Sequence, residues 1–235
     1  MNSCKNCNEP VHGNYCSNCG RPAKLKRIDK HYIFQEIGDF LFANRGMVYT
    51  IKKILTRPGE SIRQFLTEDR YRFVKPVTFL FITALLYALL SNLFHIKTSS
   101  YDGPEGMVNL MVNWLIEHPG YLNITVGLFV AFWAKIFFRK AGYNLFEIFI
   151  LFCFVFGITT LFDSVVIMIQ GITHLKLIQI SMSIGAIYAT WATGQFFGRK
   201  KVASYIKAFL SYIFGLLSFG ILIAIVAFIE TLIKQ

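Results

Sequence analysis

The sequence has few acidic residues and few charged residues of any kind. Asp and Glu number 13 against 24 Lys and Arg, and charged residues make up only 16% of the 235-residue chain. A soluble domain carries nearer a quarter charged residues, whereas hydrophobic residues here reach 54% and Phe alone occurs 24 times. The low charge therefore argues against an ordinary soluble fold and predicts that most of the surface faces lipid.

Familiar catalytic signatures are also missing. The sequence contains no HExxH, no GxSxG and no Walker loop, and none of its five histidines pairs at i, i+4. These absences remove the usual sequence support for an enzyme, since each motif places the groups that its chemistry needs. We therefore expect a protein that is not an enzyme.

The first thirty residues contain no apolar stretch, so we expect no secretory signal peptide. They contain instead four of the five cysteines, Cys4, Cys7, Cys16 and Cys19, in the form C-x2-C-x8-C-x2-C. In a reducing compartment such a cluster is more typical of a metal site than of disulfides.

Four thiolates close a tetrahedron, which is the structural form of a zinc site and leaves no position for water. Gly20 follows the second pair, where a knuckle needs positive φ. The pattern predicts a zinc ribbon in residues 1–22, with zinc as its cofactor. A redox dithiol and a tetrahedral iron site remain alternatives, and His12 is interpreted as a loop residue.

Five apolar stretches follow, each near the 20 helical residues that cross a bilayer. They are Pro76–Phe94, Tyr121–Phe138, Leu145–Ile169, Leu177–Phe197 and Tyr205–Ile229. The weakest break is QGITHLK, so the third and fourth stretches are either two crossings or a longer helix followed by a re-entrant bend. The pattern predicts an all-α membrane protein with about five transmembrane helices in residues 76–235, amphipathic juxtamembrane helices and the small N-terminal zinc ribbon.

Basic residues are divided unevenly between the two sides of these spans. With five crossings, 21 of the 24 Lys and Arg fall on the side of the N-terminus, and Lys97, Lys176 and Lys234 fall on the other. Cytoplasmic loops carry the excess of Lys and Arg. We therefore expect a multi-pass protein of the cytoplasmic (inner) membrane, with the N-terminus in the cytoplasm, the C-terminus outside, and anionic lipids rather than nucleic acid as partners.

Residues 23–75 are basic and amphipathic. Apolar residues recur every three or four positions from Phe34 to Leu55, which predicts a helix that Gly46 divides, and a second helix begins near Pro58. Each basic residue near an anionic leaflet is worth about 1 kcal/mol. The alternative is that these helices cap the bundle and their charges follow the positive-inside rule. The candidates for headgroup contact are Arg57, Arg63, Arg70, Arg72 and Lys75.

The cysteine cluster, the block from Arg57 to Pro76 and the stretch YNLFEIFILFCF at Tyr143–Phe154 resemble a bacterial family of polytopic membrane proteins. That family is known only as a domain of unknown function. The resemblance extends over nearly the whole chain. It implies the same multi-pass architecture with an N-terminal Cys4 zinc ribbon, and it implies no activity.

Few charged side chains fall within the predicted spans, where charge is costly and commonly functional. Lys135 and Glu147 lie across a short turn, and we expect an ion pair between them. Asp163 is deeper. We interpret it as a helix-end residue, as a residue hydrogen-bonded to Thr159 or Thr160, or as part of a transport site.

Small residues recur along the fourth predicted span. Gly185, Ala189 and Thr193 are spaced every fourth position, which lets helices approach closely in lipid. The contact serves either the bundle or a second copy, so a homo-oligomer is possible. We interpret Cys153 as a small core residue and Glu230 as a solvated residue at the outer boundary.

These features favour an integral membrane scaffold or adaptor that presents a cytoplasmic zinc ribbon and basic interfacial helices to lipids or to an unidentified protein partner. The alternative is a small transporter, channel or lipid-handling protein that uses the bundle interior. A conduit needs a polar stripe across the membrane, and the spans contain only Asp163 and scattered Asn, Gln and Thr. We therefore expect the scaffold.

Overall fold

The computed structural model describes residues 2–3, 10–11, 17–18, 45–67, 73–96, 101–103, 106–173, 175, 177–198 and 201–233. The chain divides into two units, Met1–Ala43 and Asn44–Gln235. In the first unit, strand β1 (Asn2–Ser3) pairs antiparallel with strand β2 (Pro10–Val11). The four clustered cysteines lie outside the described residues, so the zinc ribbon stays a prediction.

In the described part of the second unit the secondary structure is helical, as expected. Its α-helices are α1 (Arg45–Thr56), α2 (Pro58–Thr67), α3 (Pro76–Leu93), α4 (Met107–Glu117), α5 (Pro119–Phe137), α6 (Leu145–Thr173), α7 (Ile178–Gly198) and α8 (Val202–Ile233). A short 3-10 turn, Arg139–Ala141, joins α5 to the segment before α6. Proline opens α2, α3 and α5, because the first helical position needs no N–H donor.

Four helices, α3, α5, α6 and α8, are long and apolar enough to cross a membrane. They coincide with the first, second, third and fifth predicted spans and fit a membrane-embedded protein. The fourth predicted span is α7, which has 21 residues but carries many polar side chains and is not among the four. The break at QGITHLK separates α6 from α7 as two helices.

Helix α6 is the centre of the bundle and packs against α3, α5 and α7. It lies parallel to α3, because Phe79 packs against Gly157 and Phe94 against Gly171. Of its most apolar window 56% is buried, against 6% for α8. α6 is therefore a core helix, whereas most apolar residues of α8 are exposed or half-exposed.

Helices α1 and α2 pack into the bundle instead of standing apart from it. Ile54 of α1 and Ile62 and Phe65 of α2 are buried, and the Phe65 ring lies 5.2 Å from that of Phe154 in α6. The start of α3 is also level with Phe154, where the Phe79 ring is 6.0 Å away. The α1–α2 pair therefore packs beside the first third of α6, and residues 44–75 of the predicted juxtamembrane segment belong to the same unit as the spans.

Helix α4 lies between the first two predicted spans, where the sequence analysis predicted no helix. It has 11 residues, about half of what a crossing requires. It packs against α5 and α8, and Asn109 and Asn113 hold the preceding segment through hydrogen bonds to Gly103 O and Tyr101 O. α4 is therefore a fixed element at the opposite end of the bundle from α1 and α2.

Candidate functional site

The described Lys and Arg side chains of the bundle lie at the end where α3 begins, which we call the basic end. Stacked rings of Phe138 and Phe197, 3.8 Å apart, join α5 to α7 there, and the Lys207 ammonium lies 6.0 Å from the Phe138 ring. The charge asymmetry of the sequence is thus present in the described part of the bundle. Its members are Lys52, Lys53, Arg57, Arg63, Lys75, Lys135, Arg139, Lys140, Lys201 and Lys207.

Arg63 is half-buried within the basic end. Its guanidinium donates hydrogen bonds to Gln195 O over 3.0 Å and to Phe196 O over 2.6 Å. Both carbonyls lie in the last turn of α7, where no intrahelical partner exists, and a cation there also complements the helix dipole. Arg63 therefore joins α2 to α7, and its contact with lipid headgroups stays a prediction.

Two further contacts tie the α1–α2 pair to α7. The Tyr188 hydroxyl of α7 donates to Ile54 O, in the last turn of α1, over 2.9 Å. Gly59, in the first turn of α2, lies so close to α7 that an added Cβ would come within 2.5 Å of the Gln195 backbone. Glycine is needed here because the two backbones touch.

Two other predicted headgroup contacts, Arg57 and Lys75, are exposed. The Arg57 guanidinium lies 3.8 Å from the Glu60 carboxylate, with the side chains 69% and 60% exposed. Such an exposed pair contributes little to stability, so Arg57 is able to face a headgroup. Arg70 and Arg72 lie outside the described residues, and headgroup binding stays a prediction for the whole set.

The predicted ion pair between Lys135 and Glu147 is wrong. The Lys135 ammonium donates instead to Tyr143 O. Glu147 forms a capping box with Asn144, in which the Asn144 N–H donates to Glu147 Oε2 and the Glu147 N–H to Asn144 Oδ1, both over 2.8 Å. Each side chain satisfies backbone groups at the start of α6, and this local pairing outcompetes the ion pair.

Asp163 meets a partner that the sequence analysis did not name. Its Oδ1 accepts a hydrogen bond from the hydroxyl of Ser181 at the start of α7. Thr160 is used elsewhere, since its hydroxyl accepts a hydrogen bond from the Asn123 amide of α5 over 3.0 Å. Asp163 therefore links α6 to α7, and a role in transport stays a prediction.

Other polar side chains in the bundle also link neighbouring helices. Trp133 Nε1 donates to Ser218 Oγ over 3.1 Å, and the Thr193 and Tyr212 hydroxyls lie 3.1 Å apart. In the described part of the chain, no buried side-chain nitrogen or oxygen lacks a hydrogen-bond partner. Interhelical hydrogen bonds of this kind stabilise helix contacts in lipid. Gly185 lies against Thr159 of α6, so the small-residue face serves the bundle.

No cluster of three or more potential metal ligands occurs within the described ranges. Cys153 is buried in α6, as expected of a small core residue. The predicted zinc ligands are outside these ranges, so their geometry does not enter the site described here.

The sequence analysis named only part of the basic end as a candidate surface. Lys52, Arg139, Lys140, Lys201 and Lys207 are exposed there beside Arg57 and Lys75. The signal was available, because three of them follow directly on the ends of spans, in the short basic breaks that set the orientation. The contact of Arg63 had no such signal, since it joins residues more than 130 positions apart.

Residues 44–88 match a family described as "Protein of unknown function (DUF3667)". The match covers α1, α2 and most of α3, and it includes Arg63 and Gly59 but not α7. It supports the resemblance to an uncharacterised family over this part of the chain. Neither the curated proteins nor the solved structures give a match.

Proposed function

We propose that this protein is an integral membrane scaffold of the cytoplasmic membrane. It holds the basic end and an N-terminal zinc ribbon on the cytoplasmic side, where they bind anionic lipids and a protein partner. The observation that carries this proposal is the separation of roles in the bundle. Polar side chains between the helices are used for interhelical hydrogen bonds, whereas the exposed cations collect at one end.

The same proposal includes five crossings. α7 runs antiparallel to α6, because Ser181 bonds Asp163 and the ring of Phe196 lies 4.6 Å from that of Tyr143, just before α6 begins. It therefore extends alongside α6 over about 20 residues, enough for a bilayer crossing. α7 packs against α2, α6 and α8, and its polar residues Ser181 and Thr193 are buried there, which makes them acceptable at membrane depth.

Lipid binding is tested on the full-length protein in detergent. We expect phosphatidylglycerol to remain bound after purification, and Lys52→Gln, Arg57→Gln and Lys75→Gln together to lower its affinity at least tenfold. Three charges at about 1 kcal/mol each are sufficient for this. The matched control removes the same charge through Lys97→Gln, Lys176→Gln and Lys234→Gln, and equal losses in both variants would reject a specific basic surface.

The zinc ribbon is tested separately. We expect about one zinc per chain, lost in Cys4→Ser with Cys7→Ser, because the thiolates supply a closed site. Loss of zinc should also remove the protein partner that crosslinking recovers from membranes, while the bundle stays inserted. Bound iron, or protein without metal when no chelator was used, would contradict the ribbon.

The competing function is transport through the bundle, with Asp163 as its polar centre. Asp163→Asn distinguishes the two. The scaffold requires this variant to keep lipid binding and partner recovery near wild type, because the amide still accepts the hydrogen bond from Ser181. If Asp163→Asn abolishes cellular function while the ribbon variant is normal, transport replaces the scaffold.

A further inference from the structure

Helix α4 is firmly attached where α5 begins and α8 ends, and Gly120, just after it, lies against Phe81 and Ala84 of α3. The carboxylate of Glu230, near the end of α8, accepts hydrogen bonds from the N–H groups of Met107 over 2.6 Å and Val108 over 3.0 Å. These donors belong to the first turn of α4, which has no intrahelical acceptor for them and is the positive end of the helix dipole. Val108 and Leu115 are buried and hold the rest of the helix down.

The two ends of α4 lie at nearly the same height along the bundle. α5 and α8 pair antiparallel, with the rings of Phe129 and Phe219 5.7 Å apart. Continuing this pairing back along α5 places Pro119, which follows α4 directly, roughly level with Ile229. The other end of α4 is fixed at Glu230, one residue further along α8. Since α4 is about 16 Å long, it lies across the bundle axis and hence in the plane of a surrounding membrane.

One face of α4 is apolar and open. Met107, Leu110, Met111 and Trp114, at i, i+3, i+4 and i+7, are 76%, 73%, 62% and 47% exposed. This spacing forms one stripe. The side chains of Asn109 and Asn113 lie away from this stripe and bind the 101–103 segment. Glu117, at i+10, ends the stripe with a charged residue.

The stripe is continuous with the apolar surface of the spans. The Trp114 ring lies 5.2 Å from that of Tyr121, which lies 5.5 Å from that of Phe81 in α3. All three are exposed. Trp and Tyr concentrate where a membrane span meets the headgroups. In the described part of α4 and of the segment before it, the charged residues are Asp102 and Glu117, with no Lys or Arg.

From this arrangement we infer that α4 is an interfacial helix that seats in the outer leaflet and binds the acyl–headgroup boundary of uncharged lipids through the Met107–Trp114 stripe. Glu230 is the positioning residue that keeps the helix in the membrane plane. The stripe binds by burial of apolar surface, so its seating is independent of lipid charge.

The test reads the depth of Trp114 in the full-length protein. Trp133→Phe with Trp191→Phe leaves Trp114 as the one tryptophan. In phosphatidylcholine vesicles, bromines near the lipid carbonyls should quench its fluorescence about twofold more than bromines near the chain ends, as for other interfacial tryptophans. Iodide added on both sides of the vesicle membrane should quench the Trp114 fluorescence only weakly. If the double variant does not fold, the difference between wild type and Trp114→Phe gives the same quantity.

Two changes sharpen the result. Replacing a third of the lipid by phosphatidylglycerol should leave the quenching of Trp114 by bromolipids unchanged. Glu230→Ala should increase the quenching of Trp114 by iodide. Glu230→Gln, which keeps a hydrogen-bond acceptor, should change the iodide quenching less. Strong iodide quenching in the wild type, or equal quenching from both bromine depths, overturns the proposal. If bromolipid quenching falls as the protein-to-lipid ratio rises, the stripe binds a second copy of the protein, and the proposal of lipid binding is overturned.

Discussion

At the basic end of the bundle, helix termini are bound by side chains of other helices, whereas at the opposite end most apolar surface is left open. Arg63 and Tyr188 each donate to carbonyls of a neighbouring helix, and Gly59 brings two backbones into contact. At the far end, the second half of α8 is exposed or half-exposed along its length, and Gly220 has no neighbour within 4 Å.

The two ends therefore require different surroundings. The basic end combines dense packing with exposed cations, which suits a fixed surface recognised by charge. The far end is held by Glu230 and by packing on one side of α4, and much of its remaining apolar surface is exposed. We expect mutations to be costly and global at the basic end and local at the other.

The largest expected effect concerns orientation, which assigns the two ends to the two sides of the membrane. A reporter that works only outside the cytoplasm should be active after Gln235 and inactive before Met1, because the excess of Lys and Arg stays in the cytoplasm. Activity is measured in cells with each fusion. A cytoplasmic C-terminus would mean that α7 does not cross, and it would place both termini on one side.

Two glycines, Gly59 at the basic end and Gly220 in the second half of α8, test the difference in packing between the two ends. Gly59→Ala forces a Cβ against the backbone of Gln195, and such overpacking should destabilise the protein by about 2–3 kcal/mol. Gly220→Ala meets no atom and replaces a poor helix former, so its effect should lie between no change and a gain of about 1 kcal/mol. Thermal unfolding in detergent measures both. Similar losses would show that the two ends are equally packed.

The guanidinium of Arg63 provides the next comparison. Arg63→Met leaves the carbonyls of Gln195 and Phe196 without their charged donor, at a cost of about 2 kcal/mol. Arg57→Met removes an exposed pair with Glu60 and should cost less than about 1 kcal/mol. Thermal unfolding again separates them, and Arg63→Lys should restore part of the loss. An equal effect at both positions would show that the hydrogen bonds of Arg63 to α7 contribute no more to stability than an exposed ion pair.

Long apolar runs predicted α3, α5, α6 and α8 to within about four residues at each end. A helix that crosses a membrane needs about 20 apolar residues in a row, and this length is visible in the sequence. Helix α4 was missed since 11 residues with one apolar stripe carry no such signal. The crossing by α7 remains a prediction because α7 is long enough to cross but less apolar than the other four spans. α7 buries one face against its neighbours, and polar residues such as Ser181 and Thr193 on that face make the helix less apolar than the other spans.

Contacts between distant residues could not be predicted in the same way. Arg63 was identified as a basic residue near the membrane, but its carbonyl acceptors are defined only by the folded position of α7. The error at Glu147 was avoidable. Asn144 three positions before it is the sequence signature of a capping box, and this local rule should have been preferred to a pair that depends on how α5 ends.

The smallest expected effect compares two carboxylates that each cap a helix. Glu147 caps its own helix through Asn144 at the basic end, and Glu230 caps α4 from the far end of α8. Replacing either by Ala removes a cap worth about 1 kcal/mol. Their consequences should differ, because α6 is the core of the bundle whereas α4 packs at its periphery, against α5 and α8.

Glu147→Ala should therefore lower the thermal stability of the whole protein. Glu230→Ala should leave the thermal stability unchanged. It should instead speed hydrogen exchange at Met107 and Val108 about fivefold, the factor that corresponds to a loss of about 1 kcal/mol. Glu230→Gln is the control, since its amide oxygen still accepts one of the two bonds and should give a smaller increase. Hydrogen exchange measured by mass spectrometry after peptic digestion resolves the two regions. If Glu230→Ala instead unfolds the bundle at a lower temperature than Glu147→Ala, the far end is as tightly coupled as the basic end, and the contrast between fixed and lipid-supported ends is lost.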